Sequence, residues 1–261
     1  MSKSLTAHAI AAQLIHPIPA EVMESVDSTN TEAKRRVWAG LSTPLLLLAK
    51  RQTAGRGRMG RTFCSPEGAG LYMSLILFPD CPIAEVLPIT SAAAVAVALA
   101  IEETTGLSPQ IKWVNDVYLH GKKLSGILTE GMIPPEGQSA VIVGIGINCT
   151  PAALPPEVAS IATSLADEGG KVDQNLLAAR VCDRLLDLYD TLSAQTWLAP
   201  YRERSLLDGK RVVWRSAGDL SGKPLGEGLV IGIGDNGELM LDTPEGMIAL
   251  TGGEVSVRMI E

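Results

Sequence analysis

Three stretches of this chain are apolar without alternation, and they limit its fold more than any other feature. "PLLLLA" (44–49) is short, continuous and bounded by Pro44, the pattern of a strand covered on both faces. "GLYMSLIL" (70–77) reads as a second buried strand, and "AVIVGIGINC" (140–149) as a further one. Helical segments lie before, between and after them. "EVMESVDSTNTEAKRRVW" (21–38) opens as a short alternating strand and turns helical near Thr29, where Thr29 and Glu32 have the spacing of a capping box. "SAAAVAVALAIEETTG" (91–106) reads as a core helix closed by Gly106, with an apolar run too short to span a bilayer. Leu177, Val181, Leu185, Leu188 and Leu192 make an apolar stripe at helical spacing across 173–196. "IKWVNDVYLHGKKLSGILTEGM" (111–132) reads as a hairpin turning near His120-Gly121, and "PAALPPEVAS" (151–160) as a surface loop.

The texture changes after Gly209. "KRVVWR", "GEGLVIGI", "GELML", "MIAL" and "EVSVR" are short strands punctuated by Asp235-Asn236-Gly237 and Pro244-Glu245-Gly246, which suits a small barrel. The division is an α+β body over 1–208 and a small β domain over 209–261.

The chain is 46% hydrophobic, enough for a sizeable core, and its net charge of −7 argues against a nucleic-acid coat or an anionic-membrane binder. The charge is uneven. Between Glu32 and Glu67 there is no acidic residue, while Lys34, Arg35, Arg36, Lys50, Arg51, Arg56, Arg58 and Arg61 all fall there, which points to a local anion site. Cys64, Cys81, Cys149 and Cys182 are scattered, without the spacing of a zinc site or a disulfide framework, and read as reduced core thiols of a cytoplasmic protein. The apolar stretch within 1–20 is interrupted by His8, Gln13 and His16 and is not a signal segment.

Gly55-Arg56-Gly57-Arg58-Met59-Gly60 spells G-x-G-x-x-G. A dinucleotide site needs the last glycine to open a helix, yet Ser65-Pro66-Glu67-Gly68 follows with turn chemistry. A Walker loop needs a lysine and Ser/Thr after its glycines, and these are absent. What remains is a pliable loop carrying three permanent cations, suited to phosphate and carboxylate, or else a solvated basic loop. Lys112 and Lys123, near the hairpin, read equally as exposed charges. Gly144 and Gly146 read either as tight strand packing or as a surface for a flat ligand.

Together these stretches resemble the biotin protein ligases. The matching pieces are "STN" (28–30), "QTAGRGRMGR" (52–61), "SPEGAGLYMSL" (65–75), "KWVNDVYL" (112–119), "KKLSGILTE" (122–130), "VGIGIN" (143–148) and "ATSL" (162–165), spanning most of 26–165. Val114 stands where the family usually has proline, Phe63 where tryptophan is common, and Met59 at a variable position. A helix-turn-helix segment has no room ahead of the matching body, so DNA binding is not expected.

The resemblance implies a mixed-sheet catalytic domain followed by an SH3-like barrel. It implies two steps: biotin and ATP give an acyl-adenylate, which a lysine of a biotin carboxyl carrier domain then attacks. Arg56, Arg58 and Lys123 are the implied catalytic and biotin-binding cations, Arg56 and Arg58 near the biotin carboxylate and α-phosphate and Lys123 at the same reacting centre, with Arg61 and Lys112 along the phosphates. Ser28, Thr29, Asn30 and Gln52 would meet the ureido ring, Gly55 and Gly57 the vitamin's backbone contacts, and Gly126 and Gly146 the ring's floor. Phe63, Trp113, Asn115 and Asn148 fall near the nucleotide. Asp116 would hold Mg²⁺, or be a hydrogen-bonded turn carboxylate. Thr29 is claimed both as cap and as ligand. The 55–64 loop is expected to be mobile without ligand and to close over the adenylate. The barrel would dock the acceptor or close over nucleotide, and pairing of sheet edges leaves a homodimer open. The alternatives are a lipoate or octanoate ligase or transferase of the same fold, and a non-catalytic biotin-binding regulator, against which Arg58 and Lys123 argue.

Overall fold

The uninterrupted apolar runs become strands clad on both faces. In the computed structural model, which describes residues 4–216, 223–252 and 255–260, Leu46 and Leu48 join one apolar cluster with Leu71, Met73, Leu75 and Leu77. Leu45 and Leu47 point the other way, into a second cluster with Ile76, Ala140 and Ile142. This is why these strands show no alternation in sequence.

Seven strands form the main sheet: β1 (Ala20–Met23), β2 (Leu45–Ala49), β3 (Gly70–Leu77), β4 (Gln110–Lys112), β5 (Asp116–Leu119), β6 (Lys122–Met132) and β7 (Ala140–Asn148). Their order is β1-β2-β3-β7-β6-β5-β4. The β1–β2 pair is parallel and the other neighbours are antiparallel, so the sheet is mixed.

The helices are α1 (Ala7–Ala11), α2 (Thr29–Trp38), α3 (Ile89–Thr105), α4 (Pro156–Ala159), α5 (Gln174–Asp190) and α6 (Leu198–Glu203). The stretch Ile83–Thr105 is long and apolar enough to cross a membrane, but here α3 packs on α5 within the core. Gly106 ends α3 at φ 74, donating to the Glu102 carbonyl at 2.9 Å. α2 covers β2, β3 and β7 on the opposite face.

Several expectations change. The capping box does not form: Ser28 is the N-cap residue of α2 and makes no side-chain cap bond. Glu32 instead pairs with Arg35 and Arg36, whose charges outcompete a backbone amide. The hairpin over 111–132 is a three-stranded meander, with a second turn at Trp113–Asn115 that carries a cis peptide before Val114. The stripe helix ends at Asp190, leaving Leu192 in a short 3₁₀ turn. The loop after β7 contains α4. Cys149 and Cys182 are core thiols, whereas Cys64 is half-buried in the arginine loop and Cys81 is exposed.

The barrel expected after Gly209 is a five-stranded antiparallel sheet in the order β11-β10-β9-β8-β12. Its strands are β8 (Arg211–Ser216), β9 (Gly226–Ile233), β10 (Leu239–Thr243), β11 (Gly246–Leu250) and β12 (Val255–Met259). Glu254 of "EVSVR" lies outside the described residues. Val212, Trp214, Val230, Leu239, Leu241 and Val257 form its interior, and they join the same cluster as the core of the main sheet.

Candidate active site

Strand register builds the floor. Tyr72, Gly146, Gly126 and Asp116 lie opposite one another across β3, β7, β6 and β5. The next row holds Ser74, Gly144 and Leu128. Successive glycines on β7 thus open a slot on the face that α2 partly covers. Asn30 fills the gap at Gly144, where a Cβ would lie 2.1 Å from its Oδ1. Phe63 fills the gap at Gly146, where a Cβ would lie 2.5 Å from its ring.

The glycine–arginine loop is itself a small hairpin. Phe63 donates its amide to the Gly55 carbonyl at 3.0 Å, Gly57 donates to Arg61 at 2.7 Å, and Arg56 bridges Thr62. Met59 at φ 58 and Gly60 at φ 70 turn its tip. Gly55 is required at the base, because a Cβ there would sit 2.3 Å from the Phe63 carbonyl oxygen. This flap brings its arginines to different places. Arg56 forks onto Glu130, both contacts at 3.0 Å. Arg58 folds inward and donates to Asn115 Oδ1 at 2.9 Å. Burial lowers its pKa, with Arg61 adding to that effect and Asp116 opposing it. Arg61 stays exposed.

Cations dominate the end of the slot beside β5. Lys123 Nζ lies 2.6 Å from Asp116 Oδ1. Lys112 sits 5.6 Å from the Tyr118 ring centroid. Burial lowers its pKa, and Lys123, Arg258 and Arg61 push the same way against Asp116. Arg58, Lys112 and Lys123 therefore gather about one carboxylate, with Arg61 and Arg258 near enough to act on Lys112. Such a basin favours a polyanion. Arg258 comes from β12, where no motif marks it in the sequence.

The ureido-wall candidates form a linked set. Gln52 Oε1 accepts from the Thr29 amide at 2.8 Å and from its hydroxyl at 3.2 Å. Gln52 Nε2 donates to Ser65 Oγ at 2.8 Å, and the Ser74 hydroxyl lies 2.7 Å from both Thr29 Oγ1 and Asn30 Oδ1. Thr29 thus faces the wall and does not cap α2. Ser28, also a buried residue, accepts no cap bond through its hydroxyl.

Three of the predicted ligand residues have protein partners of their own here. Asn30 is buried over Gly144 and donates to the Leu128 carbonyl and Glu130, so it braces the wall. Trp113 points its indole N–H away from the slot, to the Gly237 carbonyl at 2.9 Å, because a buried indole needs an acceptor and the barrel turn offers one. Phe63 lies on the glycine floor, edge-on to Tyr72 at 6.4 Å, and not beside Lys112 or Asn115. Asn115 serves as Arg58's dock, holding the Ile127 carbonyl through Nδ2. Asn148 lines a cavity of about 250 Å³ with Tyr72, Thr163 and Leu154, and a neighbouring cavity of about 390 Å³ runs between the flap and 153–155. Asp116 does not fit a protein-held Mg²⁺: it is a single carboxylate, paired with Lys123 and ringed by further cations, and the described residues include no cluster of metal-ligating groups.

Comparison with known proteins identifies the family. Residues 22–148 match the Biotin/lipoate A/B protein ligase family and residues 217–258 the Biotin protein ligase C terminal domain. The chain is 33% identical to the biotin–[acetyl-CoA-carboxylase] ligase of Mycobacterium tuberculosis, over 90% of this chain and 87% of that one. It is 38% identical to the bifunctional ligase/repressor BirA of Bacillus subtilis, over 81% of this chain but only 66% of that protein's length. A biotin protein ligase from Aquifex aeolicus, solved in complex with biotin and ATP, superposes with a TM-score of 0.78 at 30% identity, covering 92% of this chain and 99% of that one. The chain belongs to the biotin/lipoate A/B protein ligase family, and within it to the biotin protein ligases.

Proposed function

We propose that this protein activates biotin with ATP to biotinyl-5′-AMP and passes the biotinyl group to a lysine of a biotin carboxyl carrier domain. The observation that carries this reading is the cation basin at Asp116, built by Arg58, Lys112 and Lys123 with Arg61 and Arg258 beside Lys112, at one end of a glycine-floored slot beneath an arginine flap. Step one brings a carboxylate to a triphosphate. A biotin carboxylate oxygen bonds to the α-phosphorus as the bond to pyrophosphate breaks, and Arg58 and Lys123 stabilise the charge that builds there. In step two the lysine amine bonds to the acyl carbon, AMP leaves with the bonding pair, and the amine loses a proton. No side chain acts as a covalent nucleophile. The mixed anhydride must be kept from water, which is the flap's task. Mg²⁺ would enter on the triphosphate, held by phosphate and water oxygens, while Asp116 keeps Lys123 in place.

Incubation with biotin, MgATP and a carrier domain, followed by mass spectrometry, tests the reading. The expected result is a biotinyl adduct on one lysine, with AMP and pyrophosphate released. An adduct from lipoate and none from biotin would favour a lipoate ligase instead.

A further inference from the structure

Glu130 belongs to none of the roles assigned above, yet three side chains converge on it with four contacts. Arg56 reaches both its oxygens at 3.0 Å, Lys34 Nζ reaches Oε1 at 2.7 Å, and Asn30 Nδ2 reaches Oε2 at 3.0 Å. Its side chain is only 16% exposed. An exposed ion pair would hold little, but a forked, half-desolvated carboxylate with further donors is the stronger kind. Glu130 projects from β6 on the same face as Gly126 and Leu128, which precede it by four and two residues. The polar contacts continue from it. Asn30 meets Ser74, Ser74 meets Thr29, Thr29 meets Gln52, Gln52 meets Ser65, and Ser65 donates to the Phe63 carbonyl at 3.0 Å. The chain starts at one strand of the flap and ends at the other, and it passes through the ureido wall on the way.

We propose that Glu130 is a positioning residue that straps the flap to the sheet through Arg56, so that the flap and the ureido wall are ordered as one unit. Arg56 is then the strap, and the substrate's carboxylate falls to Arg58 and Lys123. Both of Arg56's terminal nitrogens already engage a carboxylate, whereas Arg58 docks on Asn115 within reach of the Asp116 charge, and Asp116 in turn pairs with Lys123. Arg56 and Glu130 should therefore act as a pair. The adenylate arm of the test rests on the ligase reading, and the protease arm does not.

Glu130→Gln, Arg56→Ala and the double variant are compared with the parent protein. The first measurement is trypsin cleavage after Arg58 or Arg61 in the ligand-free protein, with thermal unfolding as the folding control. Glu130→Gln should raise the cleavage rate about tenfold while the fold survives, because Lys34 can still donate to the amide oxygen. The second is escape of the adenylate into solution after a single turnover. Both single variants should raise the ratio of leakage to formation about tenfold, and the double should be no worse than either single, as coupled residues require. Cleavage within twofold of the parent, or multiplicative effects in the double variant, would overturn the strap. Arg56→Ala abolishing adenylate formation while Glu130→Gln leaves leakage unchanged would return Arg56 to the substrate. A parent protein that makes no adenylate would overturn the ligase reading, and the cleavage rates alone would then decide for or against the strap.

Discussion

Arg58 carries the site's chemistry at the scale of one side chain. Its guanidinium is desolvated on a flap, docked on Asn115 and close to a carboxylate already paired with Lys123. A cation with little water around it interacts more strongly with charge that develops in a transition state. Arg58→Ala should lower the single-turnover rate of adenylate formation by about 10²–10³-fold, with the melting temperature little changed. Arg58→Lys should recover only part, since an ammonium lacks the planar fork. A rate within threefold of the parent, read by pyrophosphate release, would remove Arg58 from the reacting centre. Arg58 and Lys123 are legible in the sequence because their motifs fix position along the chain. The different directions taken by Trp113, Phe63 and Asn30 are not. Motif spacing places a Cα, and the nearest acceptor or gap then decides where the side chain goes: the Gly237 carbonyl for Trp113, the space above Gly146 for Phe63, that above Gly144 for Asn30.

The flap is the element whose behaviour pH should report. Burial pushes the Glu130 carboxyl upward, but hydrogen bonds from Lys34 and Asn30 and the charges of Lys34 and Arg56 outweigh it and hold the group below the ordinary glutamate value. A lowered folded-state value means that folding favours the ionised form. Its stabilisation is complete above the unfolded value and is lost as pH falls through the folded one. The melting-temperature difference between the parent protein and Glu130→Gln should therefore be largest near neutrality and shrink between about pH 5 and pH 3. A difference that stays constant across that range would mean that Glu130's charge contributes nothing to the strap. The glycines and arginines of this hairpin are readable in sequence as a pliable cationic loop. Its partner is not, because Glu130 lies 74 positions from Arg56 and nothing local marks the pairing. The strands are more readable, since burial on both faces writes itself directly into composition.

The body and the β domain look separable in sequence, yet a shared core and a polar seam join them. Trp113 donates to the Gly237 carbonyl, Trp197 packs beneath Gly237, and Arg202 reaches the Ile233 carbonyl and Asp235. Trp113 immediately precedes Val114, Asn115 and Asp116, and buried Tyr201 donates to the Val114 carbonyl at 3.3 Å. The turn at 235–237 therefore braces the segment that docks Arg58 and Lys123, which gives the barrel a positioning task beyond any role in acceptor docking. Trp113→Phe keeps the ring's bulk in part but leaves the Gly237 carbonyl without its donor, at a cost of about 1–3 kcal/mol. Because the apolar cluster runs through both parts, calorimetry should still show one transition, moved to lower temperature. The KM for ATP should rise more than that for biotin, since the braced segment lies at the cation basin and the ureido wall hangs on α2 and β2. Two separate transitions, or equal shifts in the two KM values, would mean that the barrel is an appendage and that the seam transmits nothing to the slot.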